Sequence, residues 1–137
     1  MNNLLRHRDG ERGAAAVEFA LLAPILVVIL FGVTEFGLAL NKMEVYTSAA
    51  REGARYAAVH CEPDAPACTS TLISTRVQNA AIGYPLGGTP TANRDCSLTT
   101  SAGQQVTVSW VQPISIKVPF LPAYDLSVTI AGTFRCE

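Results

Sequence analysis

Four cysteines and two histidines carry the most reactive side chains in this sequence. They are Cys61, Cys68, Cys96 and Cys136, with His7 and His60. Structural zinc sites favour cysteine pairs with roughly two to four residues between them, whereas six residues separate Cys61 from Cys68. An even number of cysteines in a small domain outside the cytoplasm is typical of two disulfides. The spacing therefore favours cystines over a metal site.

Strand parity favours one pairing of the cysteines. In YDLSVTIAGTFRCE several apolar residues share parity with Cys136 and should point inward with it, namely Leu126, Val128, Ile130 and Phe134. Cys96 shares parity with the apolar Leu98, so it is also expected to point inward. Four cysteines allow three pairings, and we expect Cys96 to pair with Cys136 and Cys61 with Cys68. The loop-entropy model assigns roughly 4 kcal/mol to the first disulfide and about 2.5 kcal/mol to the second.

The histidines do not predict catalysis. A Cys–His nucleophilic pair needs two groups that converge in space, and the adjacency of His60 and Cys61 in the sequence does not supply this. His60 at a helix end is explained as a favourable cation or a cap. The sequence has no phosphate-binding GxxxxGK[ST] arrangement and no predicted catalytic triad. We expect a structural or interacting protein with no cofactor, and not an enzyme.

Charge excludes another class of partner. Ten Lys and Arg residues stand against eleven Asp and Glu residues along the chain, for a formal net charge of −1. A nucleic-acid-binding surface normally leaves a concentrated basic patch, and none is visible here. We expect no nucleic acid among the partners.

An apolar segment precedes all four cysteines. In RGAAAVEFALLAPILVVILFGVTEF, residues 12–36, the only charges after Arg12 are Glu18 and Glu35. A helix over residues 14–40 would extend about 40 Å, enough to cross a hydrocarbon core about 30 Å thick. Each glutamate then lies near one membrane boundary, where it can reach water. The segment predicts one transmembrane helix.

A cleaved secretory signal peptide is the alternative interpretation of this segment. Arg6, Arg8 and Arg12 would form its basic start, and the run 37–39 its cleavage site, with Leu40 as the new N-terminus. The apolar run is long for a signal peptide, contains Pro24, and does not end at residue 39. Basic residues are balanced on the two sides of the span, so the predicted disulfides set the orientation, with the N-terminus inside the cell.

The helical pattern continues beyond the membrane segment to about Val59. At 100° per residue one stripe is apolar or small and consists of Ala39, Met43, Tyr46, Ala50, Gly53, Ala54 and Ala57. The opposite stripe is charged and consists of Glu44, Arg51, Glu52 and Arg55. The small seam either packs against other helices or docks the soluble domain. Residues 14–40 were expected to have no domain to dock on and to need lipid or other helices.

The remaining chain, residues 61–137, predicts a disulfide-bonded α+β domain. HCEPDAPACTS and PLGGTPTANRD are predicted loops, and TLISTRVQNAAIGY predicts a short helix. Alternation predicts strands in QVTVSWV, in PISIKVP and in the segment that ends at Cys136, forming an antiparallel sheet under the long helix. Phe120 and Leu121 in VPFLPAY form either a contact tip or a turn tucked under the sheet.

The segment RGAAAVEFALLAPILVVILFGVTEFGLAL resembles the TadE-like minor pilins, or pseudopilins, of the tight-adherence pilus, in the type IV pilin superfamily. The resemblance covers roughly residues 12–60. It is carried by Arg12-Gly13, by Val-Glu-Phe around Glu18, by Pro24, and by Glu-Phe-Gly at 35–37. The later domain fits such proteins in size. The absence of a large appended domain argues against the longer TadG-like relatives.

The resemblance implies a cytoplasmic leader, residues 1–13, that a bacterial prepilin peptidase removes between Gly13 and Ala14. Glu18 then becomes the fifth mature residue, the family's glutamate, and assembly contacts are expected at Glu18, Phe19 and Pro24. Major pilins of this branch have tyrosine after that glutamate, so Phe19 favours a minor subunit. The implied domains are a transmembrane helix over 14–40, an extracytoplasmic continuation over 41–60, and the globular domain.

The implied partners are the prepilin peptidase, other pilin subunits, the inner-membrane pilus platform and membrane lipid. The chain would be a single-pass inner-membrane protein that enters or primes a surface pilus and takes part in adhesion. The competing hypothesis is a plain membrane-anchored extracytoplasmic domain for sensing or adhesion, whose helix is only a tether. A tether needs neither the small residues Gly13 and Ala14 nor Glu18, five residues after Gly13.

Overall fold

The protein is described from a computed structural model that covers residues 3–60, 70–93, 96 and 103–136, with the backbone alone for residues 3–12. The helices and strands, in chain order, are α1 (Asn3–His60), α2 (Ser70–Ala80), β1 (Thr91–Ala92), β2 (Gln105–Ile116) and β3 (Tyr124–Arg135). The sheet has the order β1-β2-β3, and both pairings are antiparallel. The predicted α+β layout is confirmed: one long apolar helix, a short second helix and a small antiparallel sheet.

The long helix begins before the predicted start. It was expected from about Ala14 to about Val59, whereas α1 begins at Asn3 and ends at His60. The helix also continues through Pro24, where the missing N–H removes the hydrogen bond to the carbonyl four residues earlier. The described part of the predicted leader (1–13), residues 3–13, therefore belongs to α1 without a break.

The core lies between the outer half of α1 (residues 39–60), α2 and the sheet. Every residue of the predicted small seam is buried or half-buried there, and the four charged residues of the opposite stripe are exposed. Ile73 and Val77 bring α2 onto this core, and the sheet contributes mainly Val106, Val108 and Trp110. The seam therefore docks the domain, one of the two roles considered for it.

Two glycines allow the backbones to approach closely. A Cβ on Gly132 of β3 would clash with backbone atoms of Ala50 and Arg51 in α1. A Cβ on Gly53 of α1 would clash with a side-chain methyl of Val77 in α2. Larger residues at these positions would separate α1 from the sheet or from α2, so the small seam determines how tightly the three elements pack.

The predicted separation of two strands at Pro113 is wrong, because β2 runs through it in one unbroken register with β3. Thr107 lies an even number of residues from Pro113, so the backbone polar groups of both point to the same edge of β2. The Thr107 N–H donates to Asn93 Oδ1 and its C=O accepts from the Asn93 N–H, so this edge faces β1. By the antiparallel alternation Pro113 faces that same side. The short β1 has ended there, so the missing N–H of proline costs no ladder bond.

The predicted plain connection PLGGTPTANRD was also incomplete. It contains β1, which pairs Thr91 with Ser109 and Ala92 with Val108. Gly87 and Gly88 pack so closely on β2 that a Cβ on either would meet Pro113 or the carbonyl oxygen of Val111. A two-residue strand carries too little periodicity to be visible in the sequence.

A disulfide joins Cys96 to Cys136, with the Cα atoms 5.4 Å apart, as strand parity predicted. The backbone closes the same region, because the N–H of Cys136 donates to the Gln104 carbonyl at 2.7 Å. The predicted Cys61–Cys68 disulfide lies outside the described residues. The described disulfide ties the end of β3 to the connection that precedes β2.

Candidate functional site: the exposed half of the long helix

The inner half of α1 (residues 13–38) presents apolar side chains all round the helix. Twelve of its large apolar residues are between 46% and 73% exposed, and Val27 and Val28 are half-buried. The twelve are Val17, Phe19, Leu21, Leu22, Ile25, Leu26, Ile29, Leu30, Phe31, Val33, Phe36 and Leu38. A contiguous apolar surface of this extent is typical of a segment covered by lipid or by other proteins. The helix is long and apolar enough to cross a membrane.

The predicted processing and assembly residues all lie on this surface. Gly13, Ala14, Glu18, Phe19 and Pro24 are each exposed on α1. Ala14 and Glu18 are four residues apart and therefore share a face, whereas Phe19 and Pro24 lie on other faces. The structure thus places these residues on different faces of α1 and does not gather them into one site, although Pro24 lines the groove described below. Their predicted roles stay predictions, since they concern contacts with other molecules.

The hairpin formed by β2 and β3 reaches this surface, contrary to the expectation that residues 14–40 have no domain to dock on. At the tip, Phe120 lines an open apolar groove of about 290 Å³ with Pro24, Ile25, Val28 and Ile29. A stripe of α1 above the groove is correspondingly shielded: Gly32 and Glu35 are half-buried and Ala39 is buried. Sequence reasoning missed this contact because it joins residues nearly a hundred positions apart.

A buried polar cluster fixes the hairpin to the outer half of α1. Gln112 on β2 is only 4% exposed, and its Oε1 accepts hydrogen bonds from Trp110 Nε1 at 3.0 Å and from the Gly87 N–H at 2.7 Å. Its Nε2 donates to Tyr46 Oη at 3.3 Å, and that hydroxyl donates to the Pro85 carbonyl at 3.0 Å. These bonds satisfy a buried amide and join α1 to the sheet.

The same cluster perturbs one titratable group. Burial raises the pKa of the Tyr46 phenol, and the neighbouring Tyr84 raises it further. The Tyr46 ring packs edge-on against Tyr84 and against Trp110, at centroid distances of 6.1 and 6.3 Å. Gln112 lies at an inward position of β2, but a lone glutamine among apolar residues gave no sign in the sequence that it organises a cluster.

The end of α1 holds the second group of polar side chains. His60 stacks on Tyr56 with ring centroids 4.4 Å apart, and the Arg76 guanidinium of α2 lies 4.7 Å from the Tyr56 centroid. Arg55 and Glu52 form an exposed ion pair at 3.8 Å. This cation–π arrangement packs α2 against the last turns of α1. In the described ranges no three His, Cys, Asp or Glu residues are arranged to hold a metal ion.

The fold and the exposed helix define a class: a small α+β domain carried on a single helix that is able to cross a membrane. Residues 13–55 match the family model described as TadE-like protein. The predicted resemblance is thus confirmed over this segment, which is less than a third of the chain and covers the inner half of α1 and most of the outer half. The match suggests a protein associated with the Tad pilus. Searches of curated proteins and of solved structures gave no match.

Proposed function

We propose that this protein is a minor pilin of a tight-adherence pilus, made as a single-pass inner-membrane precursor and processed before it assembles. The observation that carries the proposal is that the TadE-like match at residues 13–55 includes the inner half of α1, whose large apolar residues are mostly exposed. Lipid covers this surface in the precursor, and neighbouring pilin helices cover it during assembly. The proposal gives the protein no catalytic role.

Processing would occur between Gly13 and Ala14. Gly10 and Gly13 flank the site on its N-terminal side, and each lowers helix stability by about 1 kcal/mol relative to alanine. Local unwinding of α1 is therefore least costly here, and a peptidase that binds an extended chain requires such unwinding. A Cβ on Gly13 would meet nothing within 4 Å, so nothing in the described part of the fold covers this position.

Cleavage gives Glu18 a partner. The new α-amino group of Ala14 is a cation, and a carboxylate inside a membrane is stabilised by a nearby cation. Pairing of Glu18 in one subunit with the Ala14 amine of the next would fix the axial register of neighbouring helices. Such a pair contributes specificity more than stability.

The tether hypothesis is the second candidate, and one observation favours it. The small seam of the outer half packs against the protein's own domain, so this part of α1 does not need another helix as a partner. Under this hypothesis α1 only anchors the domain, and the leader stays attached.

The N-terminal residue of the mature protein distinguishes these functions. Edman sequencing or intact mass of the protein purified from its own membranes is expected to give Ala14. Met1 would support the tether, and Leu40 would support a secreted domain.

A variant pair tests the role of Glu18. Glu18→Gln is expected to insert and to be cleaved normally, yet to lose most of its co-purification with pilus components, because the charge that meets the Ala14 amine is gone. Glu35→Gln is the matched control on the same helix and should be incorporated like the wild type. Normal incorporation of Glu18→Gln would contradict the pairing.

A further inference from the structure

The tip of the β2–β3 hairpin lies at the depth of the membrane-spanning part of α1. Gly132 of β3 packs on Ala50 of α1, whereas Phe120 at the tip lies beside Pro24 and Ile29. At 1.5 Å per residue these two contacts are roughly 35 Å apart along the helix axis. The hairpin therefore runs along α1 from the domain down to the apolar segment.

The composition of the hairpin changes at its tip. The tip, residues 118–123, is Val-Pro-Phe-Leu-Pro-Ala and has no polar side chain. Phe120 is 84% exposed and Leu121 is 56% exposed. Lys117, just after the end of β2, and Tyr124, the first residue of β3, flank the tip, and both are exposed. Lysine and tyrosine are typical of the membrane interface, where an apolar body lies in lipid and a polar end reaches water.

The backbone of the tip is suited to an apolar medium. Exposed N–H groups are costly in hydrocarbon, but Pro119 and Pro122 have none. The N–H of Leu121 is bonded to the Val118 carbonyl at 3.1 Å and closes the turn. Three of the six residues of the tip therefore present no free N–H, which lowers the cost of placing this turn in lipid.

Phe120 occupies a conformation that its residue type rarely adopts. Its φ is +68°, in the left-handed region, as at the third position of a type II turn, where glycine is the usual residue. A phenylalanine at such a position, with its ring outside the core, points to a role for the ring in contact with something other than this domain.

We propose that the hairpin tip, residues 118–123, inserts into the outer leaflet beside α1 and contacts lipid acyl chains. The protein then has two membrane contacts, the spanning helix and an apolar wedge beside it that extends from the level of Glu35 to that of Pro24, roughly 16 Å along the helix axis. The wedge holds the domain at a fixed height and rotation relative to the membrane, with the polar part of the hairpin in water. Lipid is favoured over a second protein because the tip lies level with the helix segment that lipid covers in the proposed membrane-bound precursor. This inference rests on the proposed membrane-spanning state of α1.

Tryptophan quenching by brominated phosphatidylcholine in reconstituted vesicles tests the proposal on the full chain. Phe120→Trp places the probe at the tip. Val111→Trp places it on an exposed residue of the same hairpin, roughly 30 Å farther from the membrane. Phe31→Trp reports α1 itself. The native Trp110 is buried, so the wild type gives the background for all three variants.

The expected result is a loss of emission from Phe120→Trp comparable with that from Phe31→Trp, and none beyond the wild type from Val111→Trp. If Phe31→Trp is quenched and Phe120→Trp is not, the tip does not enter lipid and this inference is overturned, while the spanning helix stands. A blue-shifted but unquenched Phe120→Trp emission would assign the tip to a protein contact, which also overturns it. Without quenching of Phe31→Trp, the membrane-spanning part of the proposed function fails as well.

Discussion

The two halves of α1 belong to one continuous helix, yet they differ in what covers them. The outer half presents a narrow stripe of alanine, glycine and one tyrosine, and the domain buries that stripe completely from Ala49 to Ala57. The inner half carries leucine, isoleucine, valine and phenylalanine on all sides, and most of them stay exposed. Small residues therefore mark where a backbone of the same chain approaches, and large ones mark where another medium or molecule is required.

The largest expected effect comes from Gly132→Ala, which breaks the contact between β3 and the outer half. The new methyl group would clash with the backbone at Ala50, and a backbone cannot give way as a side-chain end can. We expect a loss of about 3 kcal/mol in the free energy of unfolding of the domain, seen as a fall of more than about 10 °C in melting temperature by circular dichroism in detergent. An unchanged melting temperature would contradict the close packing described here.

A smaller effect is expected from a pair of identical substitutions within α1. Gly53→Ala gains about 1 kcal/mol of helix propensity but forces a methyl group into the buried Val77, which costs more, so a net loss of about 1 kcal/mol is expected. Gly37→Ala meets open space and should not lower the melting temperature. Equal changes in melting temperature for the two variants would contradict the view that the domain packs on the outer half of α1 and not on the inner half at Gly37.

The smallest effect is a pH dependence confined to the outer half. Because burial raises the pKa of Tyr46, the neutral phenol stabilises the fold below pH 10, and this contribution is lost as pH rises through the folded pKa. Melting temperatures between pH 8 and 11 should fall less steeply in Tyr46→Phe than in the wild type. Tyr124→Phe, which changes an exposed tyrosine, is the matched control and should keep the wild-type slope.

Much of the architecture was predictable because it depends on local periodicity. The long helix, its buried seam, the short second helix and the inward parity of Val106, Val108 and Trp110 all repeat with the helical or strand period. The Cys96–Cys136 pairing, which strand parity favoured among three alternatives, is also present. The TadE-like segment was recognisable for a related reason, as its residues are contiguous.

The predictions that failed, and the features that the sequence did not reveal, depended on contacts between distant segments. Pro113 was expected to end a strand, and only the position of the short β1 explains why it does not. Gln112 became the centre of a polar cluster because Tyr46, Trp110 and Gly87 converge on it from three elements. No periodicity within any one segment contains that information.

The sequence by itself determined that one apolar helix leads into a disulfide-bonded α+β domain, because hydrophobic period and cysteine parity are properties of the chain read residue by residue. Only the tertiary structure decided what each half of that helix meets. The glycines at 53 and 132 allow the backbones to close on the outer half, and the unbroken register of β2 and β3 makes a hairpin long enough to reach the inner one. That length, and not the composition of VPFLPAY alone, places Phe120 beside Pro24.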